Sequence, residues 1–214
     1  MALARLGSGW KPRIERVIGE IAGKFGHHAP ISAQKLDRLA LLFDRVVEWN
    51  AKTDLTAARD PDELADLLVA DAALLSLYAE SARWVDVGSG AGAPGLPLSI
   101  LCPELELTLV DTKTKRVAFL RSVAGELNLA QVCVERTAGE KLPRAGWHTA
   151  ISRATLPAPE WVALGTELAT HRVWVFLAKK DAPTPDGWSL SRDIVYRWPL
   201  TGAERRALCF AREP

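Results

Sequence analysis

Five short apolar runs alternate with helical stretches, and a glycine cluster closes the first of them. Two more strand-like runs follow one another near the C-terminal end. Together they predict an α/β fold: an open, mostly parallel sheet, preceded by helices and finished by an antiparallel hairpin. The 214 residues suit one domain with a small appendage. Hydrophobic residues make up 48% and charged residues 25%, a globular composition that excludes a disordered tail and a collagen.

The first eighty residues read as helix. Leu36, Leu39, Phe43, Val46 and Val47 recur on one face, with Ser32 as a plausible N-cap. A break is expected from Asn50 to Pro61. Asp60-Pro61 then opens a second helix, which Leu64, Leu67, Leu68, Asp71, Leu74 and Leu75 continue. We expect residues 1–80 to form a helical extension packed on a sheet domain of residues 81–214.

Beyond Arg83 the pattern changes. Trp84–Val87 reads as a buried strand, followed by strands over Leu105–Val110, Val132–Glu135, Thr149–Ser152 and Val173–Leu177. Helices are expected between them, over Gly95–Leu101, Lys115–Leu127 and Pro157–Leu168. Ile194–Trp198 and Arg206–Phe210 flank a Thr201-Gly202 turn and predict the hairpin.

Charge and cysteine use limit the function. Lys plus Arg is 27 and Asp plus Glu 26, which excludes a globally basic nucleic-acid coat but allows a local basic patch. Cys102, Cys133 and Cys209 stand far apart with no Cys-x-x-Cys pair, so no metal site is expected and a reducing compartment fits. No apolar run is long enough to span a bilayer, and the N-terminal stretch lacks a signal core. A soluble, cytoplasmic monomer is the expectation.

The strongest local signal is Asp86-Val87-Gly88-Ser89-Gly90-Ala91-Gly92-Ala93-Pro94-Gly95, at the end of a strand and the start of a helix. Ligands of open α/β sheets bind at the carboxyl ends of strands. Gly90, Gly92 and Gly95 satisfy G-x-G-x-x-G, a weak match by itself. Asp111 closes the next strand, where a carboxylate suits ribose hydroxyls. Pro94 and Pro97 remove helix N–H donors that a pyrophosphate needs, and Asp86 repels one, so a dinucleotide is disfavoured. An acid there suits a ligand with a cationic part, such as S-adenosylmethionine, and the D-x-G-x-G pattern is similar to motif I of class I methyltransferases.

Further stretches make the resemblance more specific. Trp49-Asn50, Leu55-Thr56-Ala57 and Arg59-Asp60-Pro61 are followed in order by Val85–Gly92 and Pro94-Gly95-Leu96-Pro97-Leu98. Next come Leu109-Val110-Asp111, Lys115-Arg116-Val117, Phe119-Leu120-Arg121, Ile151-Ser152-Arg153-Ala154 and Leu177-Ala178-Lys179. This series resembles the GidB family (glucose-inhibited division protein B), N7-guanine methyltransferases of 16S ribosomal RNA.

The resemblance implies a Rossmann-like class I methyltransferase sheet and S-adenosylmethionine as donor. It implies a cofactor site at Asp86, Gly88, Ser89, Gly90, Ala91 and Gly92, with Asp111 at the ribose and Ala138 and Glu140 beside the adenine. Lys115, Arg116 and Arg205 or Arg206 would face RNA, and Arg153 and Asp71 the chemistry. Asp71 either braces the loop at Gly88 or pairs with a cation.

The chain departs from the family pattern in several places. Leu68 stands where the family has histidine, Asp54 replaces an asparagine, and Ala93 replaces a larger residue. Thr137 replaces an arginine that the adjacent Arg136 is placed to supply, and Lys180 replaces a glycine. Alternatives are a methyltransferase with a diverged RNA or small-molecule substrate, a non-catalytic RNA-binding relative, and an NAD-dependent oxidoreductase.

Overall fold

The computed structural model describes residues 3–153, 155–177 and 182–213. Ala154, Ala178, Lys179 and Lys180 of the motifs above lie outside the described residues.

Helix α1 (Lys11–Lys24) buries Ile14, Val17 and Ile21. Helix α2 (Ala33–Thr53) starts where expected, the Ser32 hydroxyl accepting from Lys35 N at 3.3 Å. It runs past Asn50, where a break was expected, and stops at Asp54, whose φ of 50° ends helical geometry. Asp60 caps α3 (Pro61–Ala65), accepting from Glu63 N at 2.8 Å. The chain then passes through one wide π turn (Asp66–Ala70) into α4 (Asp71–Ser76). Such turns carry an extra residue and often mark functional sites.

The sheet follows the alternation read from the sequence. Its parallel strands are β1 (Arg83–Val87), β2 (Glu106–Asp111), β3 (Val132–Arg136), β4 (Trp147–Arg153) and β5 (Ala169–Leu177). Helices α5 (Gly95–Leu101), α6 (Thr114–Glu126) and α7 (Ala158–Leu168) connect them. Strands β6 (Trp188–Arg197) and β7 (Glu204–Arg212) form the antiparallel hairpin, and the order is β3-β2-β1-β4-β5-β7-β6. Strand β7 thus lies between β5 and β6. Strand β1 pairs with β2 on one side and β4 on the other, so the direction of winding reverses beside it, where such sheets bind ligands.

The two sheet faces carry unequal cover. Trp84, Leu107, Leu109, Ile151 and Trp174 belong to one core cluster with residues of α1, α2, α4, α5 and α6. Val85, Val87, Val110, Val173 and Phe210 share the other with α7. Period-two alternation therefore puts Asp86 on Trp84's face, beneath the helices. The hairpin is tied to the wide turn by Asp66, whose Oδ2 accepts from Thr201 N and Thr201 Oγ1, both at 2.8 Å.

Candidate active site

The glycine loop is built by the ends of β1 and β2. The Ser89 hydroxyl donates to Asp86 O at 2.8 Å and accepts from Val110 N at 3.0 Å, which locks the loop to both strands. Gly88 has φ of 77°, and a Cβ there would lie 1.9 Å from Thr155 Oγ1, so only glycine fits. Gly90 N donates to Asp111 Oδ2 at 3.0 Å, and Lys113 N to Oδ1 at 2.8 Å. Arg116 Nη1 stands 3.5 Å from the same Asp111 Oδ2.

These groups open on a cleft of about 790 Å³ at the carboxyl ends of the strands. Its first part is lined by Gly88, Ser89, Gly90, Ala91, Asp111 and the Ala138–Glu140 segment. Its second part is lined by Asp71, Arg153, Thr155, Phe176, Trp198 and Arg205. The volume lies within the range of small-molecule sites.

Asp86 and Gly92 do not line the cleft. Gly92 turns the chain into α5, its N–H donating to Ser89 O at 2.7 Å. Asp86 is 1% exposed, and its Oδ2 is buried without a hydrogen-bond partner among the described residues. That oxygen lies 2.7 Å from where a Gly95 Cβ would stand, under the loop rather than in it. Burial pushes its carboxyl up to about 7, against the pull of the Arg153 charge.

Asp71 is buried and pairs with a cation. Its Oδ2 accepts from Arg153 Nη1 at 3.1 Å, and its Oδ1 accepts from the Tyr196 hydroxyl at 2.6 Å and Trp198 Nε1 at 3.4 Å. Arg153 Nη1 also donates to the carbonyl of Leu67, inside the wide turn. No hydrogen bond from Arg153 Nε or Nη2 is made among the described residues, so those donors remain for a ligand.

The basic residues divide. Arg116 lines the cleft, and so does Lys113. Lys115 is exposed and outside the cleft. Arg205 lines it, with its guanidinium 3.8 Å from the centre of the Trp198 ring. Arg206, next along β7 and on the opposite face, pairs with both oxygens of Asp193 at 2.7 Å and does not line the cleft. Arg136 reaches Thr114 Oγ1 at 2.9 Å instead of the cleft, where Thr137 stands. Leu68 is fully buried in the helical core.

Sequence reasoning did not single out Thr155, Phe176, Tyr196 or Trp198. Asn50 orders the connection over the cleft: its Oδ1 accepts from Leu55 N at 2.7 Å and Thr56 N at 2.9 Å, holding Leu55, Thr56 and Ala57 as a wall.

A solved structure from the NADB-Rossmann superfamily, of Streptococcus agalactiae, superposes with a TM-score of 0.54 at 8% identity. It covers 68% of this chain and 69% of that one, and bears on the fold alone. Two relatives carry the description ribosomal RNA small subunit methyltransferase G. The Anaeromyxobacter sp. protein is 42% identical over 64% of this chain and 65% of its own length. The Myxococcus xanthus protein is 36% identical over 86% of this chain and 91% of its own. The family model GidB, rRNA small subunit methyltransferase G, matches residues 35–186. A match of that extent, in the segment that builds both the glycine loop and the Asp71–Arg153 pair, places this chain in the GidB family.

Proposed function

We propose that this chain transfers a methyl group from S-adenosylmethionine to N7 of a guanine in small-subunit ribosomal RNA. The observation that carries the reading is one cleft joining two halves: a glycine loop with Asp111 on one side, and an arginine held by a buried carboxylate on the other.

The residues present suit the donor. A Cβ would fill the cradle at Gly88, and the loop backbone lines the cleft. Gly88, Ser89, Gly90 and Ala91 would hold the methionine part. Asp111 keeps lone pairs beyond those taken by Gly90 N and Lys113 N, and these would receive ribose hydroxyls. Ala138 and Glu140 would flank the adenine. When bound, S-adenosylmethionine supplies an electrophilic methyl group on a sulfonium.

Guanine N7 carries a lone pair and no proton, so no general base is required. What remains is alignment, a proximity effect. Arginine commonly grips guanine O6 and N7 together. Arg153 has Nη1 spent on Leu67 and Asp71, and its remaining donors suit O6 or a phosphate, leaving N7 free. Arg116, Arg205 and Lys113 at the rim supply phosphate contacts, which position RNA without reading sequence.

Labelled S-adenosylmethionine incubated with small ribosomal subunits from cells lacking the modification tests the reading. After digestion, mass spectrometry should find label in 7-methylguanosine at one site. Label in another nucleoside overturns the N7 assignment. Absence of label, with another family member active on the same subunits, overturns the substrate assignment.

A further inference from the structure

We propose that Tyr196 is a positioning residue for Arg153, acting through Asp71. The inference rests on the methyltransferase reading for its kinetic consequence and on geometry alone for the rest.

Asp71 is 1% exposed, so its carboxylate needs partners on both oxygens. Arg153 serves Oδ2 from β4, and Tyr196 serves Oδ1 from β6, 125 residues along the chain. At 2.6 Å the phenol makes the shorter of the two bonds on Oδ1, since Trp198 Nε1 is at 3.4 Å. Tyr196 is itself 1% exposed. Burial and the Asp71 charge raise its hydroxyl well above the usual tyrosine range, so it stays a donor at any working pH.

A carboxylate pinned at one oxygen cannot swing at the other. The Arg153 head therefore has one anchored nitrogen, fixed by Leu67 O and Asp71 Oδ2, and two donors left for the cleft. Without the phenol, Asp71 turns toward Trp198 or Arg153 and the guanidinium moves with it. The hairpin thus shapes a group in the cleft that its backbone does not carry.

Tyr196→Phe removes the hydroxyl and keeps the ring. Below its melting temperature, the variant should lose about tenfold in kcat while KM for S-adenosylmethionine changes less than twofold. Asp71→Asn should cause a similar loss, and the double variant no more than the worse single one, because both act through one group. The independent readout is exchange with water of the Arg153 Nη1 protons, which donate to Leu67 and Asp71, followed by ¹⁵N NMR and assigned by their absence in Arg153→Lys. Tyr196→Phe should speed that exchange at least fivefold.

Unchanged exchange and kcat in a folded variant overturn the proposal, as do losses that multiply in the double variant. If Tyr196→Phe does not fold, Asp71→Asn decides through the same exchange signal, faster supporting the proposal and unchanged refuting it. If the wild type methylates no ribosomal RNA, the substrate reading fails, and the exchange experiment still decides the role of Tyr196.

Discussion

Asp86 offers a quantitative test of how the loop is supported. Its carboxyl is sealed under Gly95, and burial pushes it from the ordinary aspartate range up to about 7. The folded state therefore holds the proton more tightly than the unfolded state. Stability is greatest below the unfolded pKa, falls as pH rises toward 7, and levels off above it. Integrating between pH 5 and pH 8 gives a loss of roughly 2–3 kcal/mol from this one group. Asp86→Asn keeps the shape and removes the titration. The stability gap between variant and wild type should shift in the variant's favour by about 2–3 kcal/mol between those pH values. That corresponds to roughly 5–10 °C in melting temperature for a chain of this size. Urea unfolding of both proteins at pH 5, 6, 7 and 8 measures it. Any fixed cost of the amide cancels, because only the change of the gap with pH counts. A gap that stays constant from pH 5 to pH 8 refutes the claim that burial governs Asp86.

Three further outcomes are expected. Gly88→Ala should weaken S-adenosylmethionine binding at least tenfold by calorimetry and cost about 1–3 kcal/mol of stability, since it adds a left-handed backbone penalty to a collision with Thr155. Arg153→Lys should lower kcat about a hundredfold while the dissociation constant for the cofactor holds, because a lysine lacks the planar fork that serves Leu67, Asp71 and a ligand at once. Arg45 and Glu126 join α2 to α6 through two bonds of 2.7 and 2.6 Å at a partly exposed site. A double-mutant cycle should give about 0.5–1 kcal/mol for that pair, shrinking in 1 M salt.

The parallel strands were legible as short apolar runs; β1, β2, β4 and β5 are largely buried, while the edge strand β3 is only half-buried and was legible from Val132-Cys133-Val134 alone. Strand β6 was not legible in full. Its first six residues, Trp188–Asp193, are mostly exposed at the sheet edge and so carry no apolar signature. The wide turn at Asp66–Ala70 escaped notice for the opposite reason: Leu68, Val69 and Ala70 are all buried, so one extra residue leaves the apolar pattern unbroken. In the site, Asp111 and the loop glycines could be placed from local spacing. Asp86 adjoins the loop in sequence, yet strand alternation turns it away from the cleft. Tyr196 and Trp198 meet Asp71 only through the completed sheet, a contact that no local pattern announces.

The position of β7 between β5 and β6 sets an order of assembly. Among the described strands β6 pairs with β7 and no other, although it precedes β7 in the chain. A chain lacking Glu204–Arg212 can still pair β1 to β5, but β6 is without the strand it pairs with in the finished sheet. Only when Glu204–Arg212 has been added can β6 close, bringing Tyr196 to Asp71. The Tyr196 contact in the arginine pocket therefore depends on the last strand of the chain, whereas the glycine loop is complete in β1 and β2.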